Sequence, residues 1–169
     1  MNGVSCGVSC GVRSANGSVV IPAIGLEMKV RISPKATGGR FTLIETTHAP
    51  GYGPPLHRHR EAEYFYVLNG RYLYEVNHAR FEVEAGDTVM VPGNVPHGFV
   101  NIDTQPSKQL VLLEPGLDAM AFFMELGGVM KDGELNVEAR NVFSARWGVD
   151  FLGPPLKPAR VSVCEGLQG

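Results

Sequence analysis

The sequence predicts an all-β fold, a sandwich or barrel, with one or two helices near its end. Three observations carry this expectation. Short runs alternate apolar and polar residues with period two, the pattern of strands that bury one face. The 169 residues include 21 Gly and 12 Pro, which suits many tight connections between short strands. Asn69-Gly70 separates two such runs, a dipeptide strongly associated with two-residue hairpin turns.

The chain opens on a near-repeat, Gly-Val-Ser-Cys-Gly-Val-Ser-Cys-Gly-Val, which places Cys6 and Cys10 four residues apart. Its small-residue composition offers little surface to bury, so residues 1–18 read as a flexible tail rather than a redox or metal site. With Cys164 these thiols form neither a disulfide framework nor a zinc-ribbon spacing. Residues 19–160 read as one domain, and 161–169 as a second loose end. Within the domain, Leu26 to Ile32 and Phe41 to Thr47 alternate with period two. Tyr64 to Leu68 and Tyr72 to Val76 flank Asn69-Gly70 as an expected hairpin. Phe81 to Val83, Thr88 to Val91, Gly98 to Val100 and Leu110 to Leu113 continue the series. After Pro115-Gly116, the spacing of Leu117, Met120, Ala121 and Met124 predicts a helix that Gly127-Gly128 ends. A second helix is expected from an Asn136 cap, with Ala139, Val142, Phe143 and Trp147 on one face before Gly148. Pro154-Pro155 then marks extended chain.

A formal net charge of −2 gives no electrostatic footprint for nucleic acid or a membrane surface. No apolar run reaches 18 residues, so no transmembrane helix is expected. The first residues lack the basic and apolar regions of a secretory signal, which makes the cytoplasm the expected location.

The chemistry concentrates in His57, His59, Glu63 and His97. If His57 and His59 lie in a strand, they face one way and Arg58 the other. Three neutral imidazoles and a carboxylate converging from three strands suit one first-row divalent metal and leave coordination positions open. His48 and His78 fall outside this pattern and read as structural. Strand alternation puts Phe65 and Val67 on the side of Glu63 and Phe99 with His97, while Tyr72, Tyr74 and Val76 form a further face. Phe65, Tyr74 and Phe99 are therefore the candidate substrate-binding residues of an apolar, aromatic cavity. Helical positions Phe122, Phe123 and Met124 read first as packing against the barrel or a partner.

The same residues resemble the two signature motifs of the cupin superfamily. Gly51 to Gly70 matches G-x5-H-x-H-x3-E-x6-G at every fixed position. Gly86, Pro92, His97 and Asn101 match G-x5-P-x-G-x2-H-x3-N, with Asn94 where the family has glycine. Asparagine is among the few residues that tolerate the positive φ such a glycine allows. The resemblance implies a double-stranded β-helix, a small jelly-roll barrel, with the four ligands on one metal (Fe, Mn, Ni, Co or Zn). It implies a catalytic Glu63, as ligand or as general base. It also implies a homodimer, with residues within roughly 19–45 at an isologous interface. Gly39 to His57, Phe122-Phe123 with Leu126-Gly127, and Gly153 to Leu156 resemble single-domain bacterial proteins likened to quercetin 2,3-dioxygenases. That implies oxygenase chemistry on a small flavonol- or enol-like substrate. A non-redox cupin enzyme (isomerase, cyclase or decarboxylase) and a non-catalytic binding cupin are the alternatives, because this fold hosts many reactions.

Overall fold

The computed structural model describes residues 17–130 and 137–158. Cys6, Cys10, Cys164 and Asn136 lie outside the described residues. Eleven described strands form two antiparallel sheets. Sheet A has the order β1 (Ser18–Ile21), β2 (Leu26–Ile32), β3 (Thr42–His48), β10 (Ser107–Glu114), β5 (Ala62–Asn69), β8 (Thr88–Val91). Sheet B has the order β11 (Val149–Pro155), β4 (Pro55–His59), β9 (His97–Asn101), β6 (Arg71–Val76), β7 (Ala79–Glu84). Helices α1 (Ala119–Val129) and α2 (Val137–Trp147) stand between β10 and β11 in the chain. This is the expected all-β jelly roll with two helices toward its end. No helix among the described residues is long and apolar enough to cross a membrane.

The period-two pattern works as alternation should. On β2, Leu26, Met28 and Val30 are buried while the residues between them are only partly so. On β10, Ser107, Gln109, Val111 and Leu113 face inward. Both inner faces meet in one core around Phe65, Val67, Tyr72, Tyr74 and Phe99. Burying such aromatics removes large apolar areas from water, and their edge-to-face contacts add to that gain.

One turn expectation is corrected. Asn69-Gly70 does not close a hairpin, because β5 pairs with β10 and β8 while β6 pairs with β7 and β9. The dipeptide is a corner that carries the chain from sheet A to sheet B. Gly70 has φ 80°, and a Cβ there would collide with the Ser107 side chain. The tight hairpin is instead β6–β7, where Val76 pairs with Ala79 across Asn77 and His78. Both turn residues have positive φ, 48° and 68°, as a type I′ turn requires. Asn101 braces the Gly70 corner from the other side: its side-chain oxygen accepts from Ser107 Oγ at 2.8 Å.

The helices also differ in detail. α1 runs through Gly127-Gly128 to Val129, and Gly127 leaves ordinary contact space beside Ile21. Its inward face holds Ala119 and Leu126, with Phe122 and Phe123 packed on the core, while Ala121 and Met124 face outward. On α2, Phe143 is fully buried and Trp147 packs on the core, but Val142 faces solvent. Phe143 and Trp147, four residues apart, are the pair that packs. Pro154-Pro155 does lie in extended chain, at the end of β11 beside β4.

Candidate metal centre

β4 ends at His59, the chain bends at Arg60-Glu61, and β5 begins at Ala62. The bend moves the chain from sheet B to sheet A, so Glu63 enters the interior opposite the histidines it follows. His57 and His59 are two residues apart on β4 and share its inner face. β9 runs beside β4 with His97 directly across from His57, which puts both rings on one side of the sheet. The loop before β9 closes against the bend. Asn94 takes φ 65°, as its place in the motif led us to expect, and its N–H donates to the His59 carbonyl at 2.6 Å. Gly93 sits so close that a Cβ would strike the Arg60 carbonyl.

The result is one cluster. A ring nitrogen from each of His57, His59 and His97 lies within 4.8 Å of the others. Glu63 reaches the same point, with Oε2 3.0 Å from His97 Nε2 and Oε1 3.6 Å from His59 Nε2. The opposite ring nitrogens are held from behind. His57 Nδ1 lies 2.7 Å from the Pro55 carbonyl oxygen and His97 Nδ1 lies 2.8 Å from that of Val95. His59 Nδ1 lies 3.3 Å from Glu61 Oε2, an ion-pair approach without hydrogen-bond alignment. With Nδ1 bonded in His57 and His97 and turned toward a carboxylate in His59, Nε2 is the nitrogen left to face the centre.

His97 Nε2 is buried without a hydrogen-bond partner, although Glu63 is 3.0 Å away. Buried polar atoms are costly unless satisfied. Donor atoms that converge on one point without bonding one another fit a shared cation better than a hydrogen-bond network. The set of three nitrogens and one carboxylate oxygen also suits a divalent transition ion.

Electrostatics separate His57 from His59. Burial pulls His57 down to about 3, helped by the charges of His97 and His59. Burial also acts against protonated His59, but the close Glu61 carboxylate and the negative charge of Glu63 outweigh it, and its pKa is raised. Burial alone would raise Glu63; the His97 ring set against it and the charges of the neighbouring imidazoles reverse this and hold it at about 2. Glu63 is therefore ionised throughout the physiological range.

A cavity of about 90 Å³ opens on the cluster. Phe65 and Phe99 line it, and Tyr74 does not. Tyr74 lies behind them, in ring contact with both and bonded through its hydroxyl to Gln109 Oε1 at 2.7 Å. Phe122, Phe123 and Leu126 of α1 and Trp147 of α2 form part of the wall, so these residues both pack on the barrel and bound the site. Sequence reasoning passed over Glu61, which is 3% exposed and lies on the cavity wall. Parity could have found it, since Glu61 falls midway between His59 and Glu63.

Residues 44–113 match the family model described as the cupin domain. That match spans less than half of the chain, and the residues it covers form a cupin domain. It is similar to an uncharacterised protein of Methanocaldococcus jannaschii, 35% identical over 79 residues; these make up 46% of this chain and 63% of that protein, less than two thirds of its length. Among solved structures it is similar to KdgF from a Halomonas species, with TM-score 0.56 and 20% identity over 65% of this chain and 98% of that one. A Thermotoga maritima protein described as a predicted oxalate decarboxylase gives TM-score 0.55 and 22% identity, over 62% of this chain and 98% of its own. At these identities the structural likeness is one of fold.

Proposed function

We propose that this cupin is a metal-dependent, dioxygenase-like oxidoreductase acting on a small, largely apolar substrate that carries at least one oxygen donor. One divalent transition metal would be held by His57, His59, His97 and Glu63. The carrying observation is the convergence of their donor atoms, with the His97 Nε2 atom buried and unbonded, at the end of an apolar cavity. The bound ion supplies Lewis acidity and a place for an oxygen donor of the substrate.

The chain's own residues do the rest. Backbone carbonyls behind His57 and His97 hold those rings in one tautomer. Glu63 supplies negative charge at the centre. Phe65, Phe99, Phe122 and Trp147 keep water away and accept an apolar ligand body. Two buried wall atoms without partners, Thr46 Oγ1 and Trp147 Nε1, are available to a ligand's polar group. Size sharpens the substrate: about 90 Å³ holds several waters but falls below the roughly 300–1,000 Å³ of pockets for drug-sized ligands. That favours a small enol or single-ring compound over a full flavonol.

The test is elemental analysis of purified protein, then oxygen uptake against a panel of small enols and flavonols with iron, manganese, nickel, cobalt or zinc loaded in turn. Substrate-dependent uptake with a redox-active metal is the expected result. Turnover with zinc and without oxygen would replace it with the non-redox reading, and metal and ligand binding without turnover with the sensor reading. A homodimer through residues 19–45 belongs to the same proposal. In its support, β1 is an edge strand whose only partner among the described strands is β2, and Val20 is 61% exposed. Light scattering at micromolar concentration that gives a mass near 18.3 kDa would overturn the dimer.

A further inference from the structure

We propose that Glu61 is a positioning residue of the metal centre, acting through His59, and that it makes His59 a stronger donor than His57 or His97. The inference rests on the reading that these histidines bind a metal. It starts from an asymmetry. Two of the three rings are backed by neutral backbone carbonyls, from Pro55 and Val95. Only at His59 does Nδ1 face a carboxylate, Glu61 Oε2 at 3.3 Å, which acts through its charge rather than as an aligned hydrogen bond. A carboxylate behind a ligand imidazole orients the ring and raises its basicity more than a carbonyl does.

A purely structural account of Glu61 is available, and the surroundings weaken it. Glu61 Oε1 accepts from Arg60 Nε at 2.9 Å. The Arg60 side chain is 70% exposed, so this contact is screened and anchors little. Nor is the carboxylate needed to hold the bend. The backbone there is already clamped by the Asn94 N–H on the His59 carbonyl and by the close seat of Gly93 under Arg60. Burying a carboxylate is expensive unless it is paired, and the buried partner it faces is His59. Charge points the same way: a divalent ion brings +2, and Glu61 and Glu63 bring −1 each, which leaves the buried centre neutral.

The experiment compares wild type with Glu61→Gln, which keeps the size and an acceptor oxygen but removes the charge. Affinity for Co(II) and Zn(II) is measured by competition with a chromophoric chelator, and the Co(II) absorption bands are recorded. Glu61→Gln should bind either ion about 10–100-fold more weakly and shift the Co(II) bands, with the metal-free melting temperature little changed. Affinity within twofold of wild type and an unshifted spectrum would overturn the inference while leaving the metal site intact. Wild type that binds neither ion overturns the metal reading itself, and this inference with it.

A second measurement needs no variant. In zinc-loaded wild type, nitrogen–proton correlation spectra should show His59 bound through Nε2, with its Nδ1–H resonance further downfield than those of His57 and His97. A His59 N–H no further downfield than the others would refute the proposal even if Glu61→Gln fails to fold.

Discussion

The barrel interior holds two kinds of buried histidine, and their surroundings separate structure from chemistry. His57, His59 and His97 face one another and two carboxylates. His48 is just as buried but faces Tyr72 and Phe99, with Nδ1 3.2 Å from the Tyr72 hydroxyl. Burial alone pulls His48 down to about 3, and no acidic group opposes it. Around His59 the carboxylates overturn the same penalty. A buried imidazole with only apolar and phenolic neighbours is a neutral packing element; one with carboxylates and other imidazoles belongs to a charged centre.

The largest expected effect breaks the centre and spares the core. His59→Ala should weaken metal binding by more than the ~100-fold upper end of outer-shell changes, with β-sheet circular dichroism retained. The apolar faces of β2, β3, β5 and β10 carry the fold, and none of them needs the ion. Loss of cooperative unfolding in the metal-free variant would show that the two regions are one.

Glu63→Gln asks what the carboxylate does inside the centre. Its oxygens lie 3.0 and 3.6 Å from two ligand nitrogens, and at a pKa of about 2 it has little affinity for a proton. The expected outcome is weaker metal binding, with residual turnover tracking occupancy. Full occupancy with turnover reduced by the ~10²–10⁴ typical of general-base loss would make Glu63 a base instead.

His48→Gln probes the other region through pH. The folded-state pKa of His48 lies below its unfolded value, so the unfolded chain binds more protons between them. Its contribution is therefore fully present above about 6.5 and is lost as pH falls toward about 3, on the order of 5 kcal/mol across that window. In metal-free protein His57 adds a similar slope to both chains, so the difference isolates position 48. His48→Gln should show a shallower loss of melting temperature from pH 6.5 to 3 and unchanged metal affinity. An identical slope would mean that His48 is not held neutral.

The comparison also shows what the sequence made legible. The bounds of β2 and β8 match the expected runs residue for residue, because one face of each strand is apolar and alternation fixes its ends. The four metal-type residues came together as their spacing implied, and Asn94 does adopt positive φ. What stayed hidden depends on which sheet a strand joins. Asn69-Gly70 looks locally like a hairpin turn, yet its flanking strands find partners in different sheets, a choice made by the whole core. Asn77-His78 turns the real hairpin with no glycine to announce it. Glu61 escaped notice because its role arises at a bend between sheets, where its carboxylate folds back on His59.

The smallest expected effect concerns Tyr74, which strand alternation suggested as a substrate contact and the fold places behind the cavity wall. Its hydroxyl donates to Gln109 Oε1 at 2.7 Å, with both side chains fully buried. The Gln109 Nε2 atom has no hydrogen-bond partner, so this bond is what orients the amide. Tyr74→Phe removes the donor while keeping the ring that packs on Phe65 and Phe99. Stranding a buried acceptor costs about 1–3 kcal/mol, which lowers the melting temperature of a chain this size by roughly 2–4 °C per kcal/mol. Metal affinity and ligand affinity should stay within twofold of wild type, because no atom of Tyr74 lies on the wall of the site. A variant of unchanged stability that lost ligand affinity would return Tyr74 to the binding surface, and the division between packing interior and charged centre would then have to be redrawn through its ring.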